Sequence, residues 1–206
     1  MHTKKYITAG KLLSKTGKAL ILLHGRGGSA EDILSLADSL PVADFSLFAP
    51  VAAAHSWYPY SFLSLPAQNE PWLSSALDMI LEVVEDIKAE GVAEGKIWFT
   101  GFSQGACLML EFITRHATRY GGAAAFTGGL IGDKIYRENY KGDFGGMPVF
   151  LGTSDPDPHV PVQRVGESGV ILKEMGAEVT VKIYKGMGHT INGAEIAEAS
   201  RVVFGG

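Results

Sequence analysis

Three short stretches carry residue types that could act together as a nucleophilic centre. They are Gly101-Phe102-Ser103-Gln104-Gly105, the aspartates Asp155 and Asp157, and Gly186-Met187-Gly188-His189. A serine hydroxyl is a weak nucleophile near neutral pH. It needs a base within hydrogen-bond reach, and the base needs a third group to orient it. On this reading Ser103 is the candidate nucleophile, His189 the base and one of the aspartates the acid that holds the imidazole.

Such chemistry has to be positioned by particular elements. Ile97-Trp98-Phe99-Thr100 is a β-branched and aromatic run, and Cys107, Leu108, Leu110, Phe112 and Ile113 follow with helical spacing. Strand, glycine-serine-glycine elbow and helix therefore succeed one another without a gap. Glycines two residues either side of Ser103 let the flanking chain pass close, and the helix aims free N–H groups and the positive end of its dipole at the hydroxyl. A Gly-x-Ser-x-Gly string can also arise by chance in a chain with 26 glycines. The strand before it and the helix after it weigh against chance.

The remaining elements are read in order. Lys4–Thr8 is expected as a short edge strand. Ala19-Leu20-Ile21-Leu22-Leu23 is a continuous apolar run of the kind found in strands buried on both faces. It ends in His24-Gly25-Arg26-Gly27-Gly28, and Ser29 with Asp32 makes a capping box for a helix over 31–40. The glycine loop matches neither a P-loop nor a dinucleotide fingerprint. A strand over 45–49 leads into a long segment, 51–71, rich in aromatics and prolines. Loops this long are often functional. Its aromatics either cap the core or wall a substrate pocket, and Trp57 and Tyr58 are the candidate pocket residues. From Trp72 to Gly91 apolar residues recur at helical steps, with a charged face read as solvated.

Small residues at 122–129 suit a strand in close contact with helices, 133–146 has no clear period and reads as irregular surface chain, and 147–152 is a further strand. A helix through Val165–Met175, a strand over 178–184 and a last helix capped by Asn192 with Glu195 complete the pattern. Strands alternating with helices from end to end predict an α/β fold around a mostly parallel sheet, as one domain over residues 1–206.

Composition narrows the function. A net charge of −4 with no basic stripe argues against nucleic-acid binding. No apolar run reaches membrane-spanning length, and the N-terminal stretch lacks the apolar core of a signal peptide, so a cytoplasmic protein is expected. The single cysteine, Cys107, falls on the apolar face of the elbow helix and reads as a core residue. The sequence leaves a homodimer open.

In an open parallel sheet functional loops gather beyond the carboxyl ends of the strands, and Ser103, the aspartate pair and His189 each follow a strand. His24 and His55 have no obvious acidic partner, and His116 stands at a helix end, where a cation suits the dipole. Counted from Gly152, Asp155 has the right offset for the acid. Counted back from Val160-Pro161, Asp157 does, and Asp157 is preferred, the other aspartate serving as a cap or in an Asx-turn. Two backbone N–H groups, of Arg26 and Gln104, are the expected oxyanion hole. The Arg26 side chain is read as solvent-facing rather than as a partner for a substrate carboxylate.

His24-Gly25-Arg26-Gly27-Gly28, Gly101-Phe102-Ser103-Gln104-Gly105, Asp157-Pro158-His159-Val160-Pro161 and Gly186-Met187-Gly188-His189 together resemble the phospholipase/carboxylesterase family, small α/β-hydrolases that include acyl-protein thioesterases. The resemblance covers nearly the whole chain. It implies an α/β-hydrolase fold without a separate lid domain, and a Ser-Asp-His triad that hydrolyses carboxylic esters or thioesters. The acidic loop is longer here than the family's Gly-x-x-Asp-x-x-Val-Pro, which is why two aspartates compete. The expected activity is therefore a serine carboxylesterase acting on a small-molecule or acyl ester, requiring no metal or organic cofactor. A thioesterase is the near alternative. A non-catalytic ligand-binding homologue and a cofactor-free oxygenase are the alternatives from other classes.

Overall fold

The computed structural model describes residues 1–205. Seven strands form one sheet in the order β1-β3-β2-β4-β5-β6-β7: β1 (Tyr6–Gly10), β2 (Ala19–Leu23), β3 (Ser46–Pro50), β4 (Ile97–Phe102), β5 (Gly122–Phe126), β6 (Pro148–Asp155) and β7 (Glu178–Lys185). All neighbours run parallel except β1, which pairs antiparallel with β3 at the edge. The helices are α1 (Leu13–Thr16), α2 (Ala30–Leu34), α3 (Pro66–Asn69), α4 (Trp72–Ala89), α5 (Gln104–Arg115), α6 (Val162–Glu174) and α7 (Gly193–Ala199).

Alternation along the strands sends side chains to two cores. Ala19, Ile21 and Leu23 of β2 face α4, α5 and α6, while Leu20 and Leu22 face α2 and the C-terminal turns. All five residues of β2 are fully buried, as a sheet covered on both faces requires. The Ser29–Asp32 capping box forms as expected, but regular α-helix stops at Leu34 and the chain continues as a 3-10 turn over Ser35–Ser39.

Three expectations need correction. The segment 133–146 is irregular but not merely surface chain: Phe144 is fully buried, and the Tyr140 hydroxyl donates to the buried carboxylate of Glu111 at 3.1 Å. His116 packs its ring on Phe112 at the end of α5, and burial lowers its pKa, so a cation is disfavoured there. At the start of α7 the Asn192 side chain accepts the Glu195 N–H, yet the Glu195 side chain does not return the bond. It turns inward beneath β6, fully buried, with neither carboxyl oxygen bonded to a partner among the described residues.

Candidate active site

The elbow is built by close packing at two glycines. A Cβ on Gly105 would stand 2.2 Å from the Leu23 carbonyl oxygen, and one on Gly101 would stand 2.8 Å from the Gly105 backbone. Only glycine lets the first turn of α5 lie directly on β2 and β4. Between them Ser103 is forced to φ 52° and ψ −119°, a conformation that is costly for a residue with a side chain. Its N–H is held by the Phe126 carbonyl at 3.0 Å.

The loops after β6 and β7 bring the other groups to the same rim. His189 Nε2 lies 2.8 Å from Ser103 Oγ, and its Nδ1 lies 2.8 Å from Asp157 Oδ2. The second Asp157 oxygen accepts the backbone N–H groups of His159 and Val160, each at 2.8 Å. Burial by itself would raise the Asp157 carboxyl, but those two N–H bonds and the imidazole outweigh it and hold its pKa below the usual range. The Gly188 N–H donates to Ser154 Oγ, which pins the histidine loop to the end of β6. The imidazole is further held between two rings, Phe102 at 5.1 Å and His159 at 4.8 Å.

Of the competing aspartates, the structure brings only Asp157 to the imidazole. Asp155 is exposed at the last position of β6, its side chain makes no hydrogen bond among the described residues, and it caps no helix. Asp157 carries both the contact with His189 and the Asx-like bonds that the sequence reading divided between two residues.

The backbone N–H groups of Arg26 and Gln104 have no acceptor among the described residues. The Arg26 side chain is exposed, as expected, but it is tied down rather than free in solvent. Its guanidinium donates to the carbonyls of Tyr58, Pro59 and Tyr60 and to Ser56 Oγ, binding the 56–60 strap over the site. Gln104 reinforces the strap from below, since its Nε2 donates to the Tyr58 carbonyl and its Oε1 accepts the Trp57 N–H. Neither side-chain role has a local sequence signal; each depends on a contact dozens of residues away.

Trp57 does not wall a pocket. It is fully buried, its indole N–H donates to the His24 carbonyl at 2.8 Å, and it packs on the His24 ring at 4.8 Å. Tyr58 does line the cavity beside Ser103, a space of about 400 Å³ shared with Phe62, Cys107, His159 and Val160. Burial pushes the Cys107 thiol up to about 12, so it contributes bulk there rather than a thiolate. Among the described residues no cluster of three or more His, Cys, Asp or Glu is placed to hold a metal, and no helix is long and apolar enough to cross a membrane.

Comparison with known proteins gives a consistent picture. The profile of the phospholipase/carboxylesterase family matches residues 11–203. The structure is similar to a phospholipase/carboxylesterase from Dyadobacter fermentans, with a TM-score of 0.97, 50% identity, and 98% and 97% of the two chains covered. In sequence it is 28% identical over 204 residues to acyl-protein thioesterase 1 of Eremothecium gossypii, covering 84% of this chain and 81% of that protein. It is also 27% identical over 133 residues to a probable carboxylesterase of Oryza sativa, where the match covers 63% of this chain and 55% of the relative. The chain thus spans only about half the length of some curated relatives it matches. With the profile covering almost all of the sequence and the sheet order and elbow in place, the chain belongs to the phospholipase/carboxylesterase family of α/β-hydrolases.

Proposed function

We propose that this protein, one α/β-hydrolase domain over residues 1–206, is a serine hydrolase that cleaves carboxylic esters through an acyl-enzyme. The observation that carries this reading is the continuous row from Ser103 Oγ through His189 to Asp157, each link 2.8 Å. His189 takes the Ser103 proton as the hydroxyl attacks the acyl carbon, and Asp157 holds the imidazole in the required tautomer. The oxyanion that forms is met by the unengaged N–H groups of Arg26 and Gln104, the latter at the positive end of α5. Water then repeats the sequence on the acyl-serine. A cytoplasmic location and activity as a monomer or homodimer are compatible with this chemistry.

Ser103→Ala is the direct test. With p-nitrophenyl butyrate, hydrolysis should fall to background while the circular dichroism spectrum is retained, and a fluorophosphonate probe should label the wild type and not the variant. An active variant overturns the serine mechanism, and a wild type that neither hydrolyses the ester nor takes the probe overturns the reading in favour of a ligand-binding homologue. Matched oxygen and sulfur esters then separate the carboxylesterase from the thioesterase, the activity named for one of its relatives.

A further inference from the structure

The Arg26 N–H belongs to a peptide whose carbonyl is held twice. The Gly25 oxygen accepts the Gly28 N–H at 3.1 Å and the His24 ring Nδ1 at 2.8 Å, which closes a β-turn over 25–28 with Gly27 at φ 80°. In a trans peptide the N–H and C=O point in opposite directions, so whatever fixes the Gly25 carbonyl also aims the Arg26 N–H.

The next links lead to His55. Its carbonyl accepts the Gly27 N–H at 2.7 Å, and its ring Nδ1 donates to the Gly28 carbonyl at 2.9 Å. His55 stands at φ 56°, directly after Ala54 at φ 51°, in a turn closed by the Ser56 N–H on the Ala53 carbonyl at 3.2 Å. Two successive left-handed residues that carry side chains are costly, and both are exposed, so packing in the core does not account for them. What the turn achieves is the pair of bonds to Gly27 and Gly28. The chain beyond it is tied back by the Arg26 guanidinium on the carbonyls of Tyr58, Pro59 and Tyr60.

We propose that His55 is a positioning residue for the oxyanion hole: it fixes Gly28, Gly28 fixes the Gly25 carbonyl, and that carbonyl aims the Arg26 N–H. The inference rests on the serine-hydrolase reading above. As Ser103 Oγ attacks, the carbonyl electron pair of the ester moves onto its oxygen, and a donor held at a fixed angle binds that developing charge better than it binds the neutral carbonyl. Arg26 lines the cavity beside Ser103, and His55 is not among the described residues that do. Its influence therefore falls on the transition state and not on substrate binding.

The test measures kcat and KM for p-nitrophenyl butyrate, and inhibition by propyl trifluoromethyl ketone, which forms a hemiketal oxyanion with an attacking serine. The wild type is compared with His55→Ala, His55→Asn and Ser103→Ala. Losing the ring donor in His55→Ala should lower kcat about tenfold, leave KM within about twofold, and weaken inhibition by the same factor as kcat. Asparagine puts an amide N–H where the imidazole Nδ1 stands and tolerates the left-handed region, so His55→Asn should restore kcat to within about twofold of the wild type. A wild-type kcat in His55→Ala overturns the proposal. So does a His55→Asn as slow as His55→Ala, or a loss carried by KM with inhibition unchanged. Ser103→Ala keeps the two readings apart: hydrolysis retained there removes the serine mechanism itself, whatever the His55 variants do.

Discussion

Gln104 reaches from the first turn of α5 to the strap above it, giving its Nε2 hydrogen to the Tyr58 carbonyl at 2.8 Å and taking the Trp57 N–H on Oε1 at 3.0 Å. One side chain thus joins the residue after Ser103 to the wall of the cavity beside it, and its own backbone N–H has no acceptor among the described residues.

Gln104→Ala leaves the buried Trp57 N–H without a partner and removes one of the donors to the Tyr58 carbonyl, while keeping the backbone N–H beside Ser103. A loss of about 1–3 kcal/mol in stability is expected, because unpaired buried polar groups carry their desolvation cost. With the strap loosened, kcat/KM for p-nitrophenyl butyrate should also fall by about tenfold. Urea unfolding and steady-state kinetics on the same preparation check both.

The two aspartates separate cleanly by substitution. Asp157→Asn removes the carboxylate at His189 Nδ1 and should lower kcat by about 10³- to 10⁴-fold, the scale expected when the orienting acid of a triad becomes an amide. Asp155→Asn changes an exposed side chain without a hydrogen-bond partner and should leave kcat within about twofold of the wild type. The reverse pattern would reassign the acid.

Ser103 stores backbone strain, and glycine at the same place does not. Ser103→Gly should raise the unfolding free energy by about 1 kcal/mol while abolishing ester hydrolysis, since φ 52° with ψ −119° suits a residue without Cβ. Thermal melts beside an activity assay measure the exchange of stability for function.

Glu195 predicts a dependence of stability on pH. Burial raises its carboxyl to about 8, from 4.5 for an ordinary glutamate, and the neighbouring Asn192 N–H offsets only part of that rise. Between those values the native chain holds a proton that the unfolded chain releases, so stability falls as pH rises across the window and levels off above about 8. The slope from this group is at most about 1.4 kcal/mol per pH unit. Glu195→Gln keeps the shape without the ionisation, and its urea midpoints should lack this slope. Identical slopes in the two proteins would show that Glu195 is ionised in the native state or that its surroundings open to water.

These contrasts mark what the sequence could and could not convey. The parallel sheet was legible because β2 is an uninterrupted apolar run and β4 opens on a β-branched and aromatic one, both between helical periods. The candidate nucleophile and base, Ser103 and His189, were legible because their glycine neighbours serve local backbone geometry. The acid was narrowed only to two residues, since a loop with an extra aspartate and several prolines gives no local measure of which carboxylate turns inward. Trp57, Arg26 and Gln104 were misjudged or half-read because their partners lie 30 to 48 residues away. Glu195 stands at a capping position, where an outward carboxylate is the ordinary expectation. That its side chain goes under Gly152 instead depends on a vacancy opened by a glycine in another element, where a Cβ would meet Glu195 Oε1 at 2.1 Å.

The bare contact between Gly105 and the Leu23 carbonyl has a last consequence. With no side chain as a cushion, the hydroxyl's location is dictated by two neighbouring ribbons of the sheet, and the serine has no hinge of its own. Turnover therefore acts as an all-or-none gauge of the fold: on heating, activity and tertiary structure should vanish together, with no folded but inert species between them.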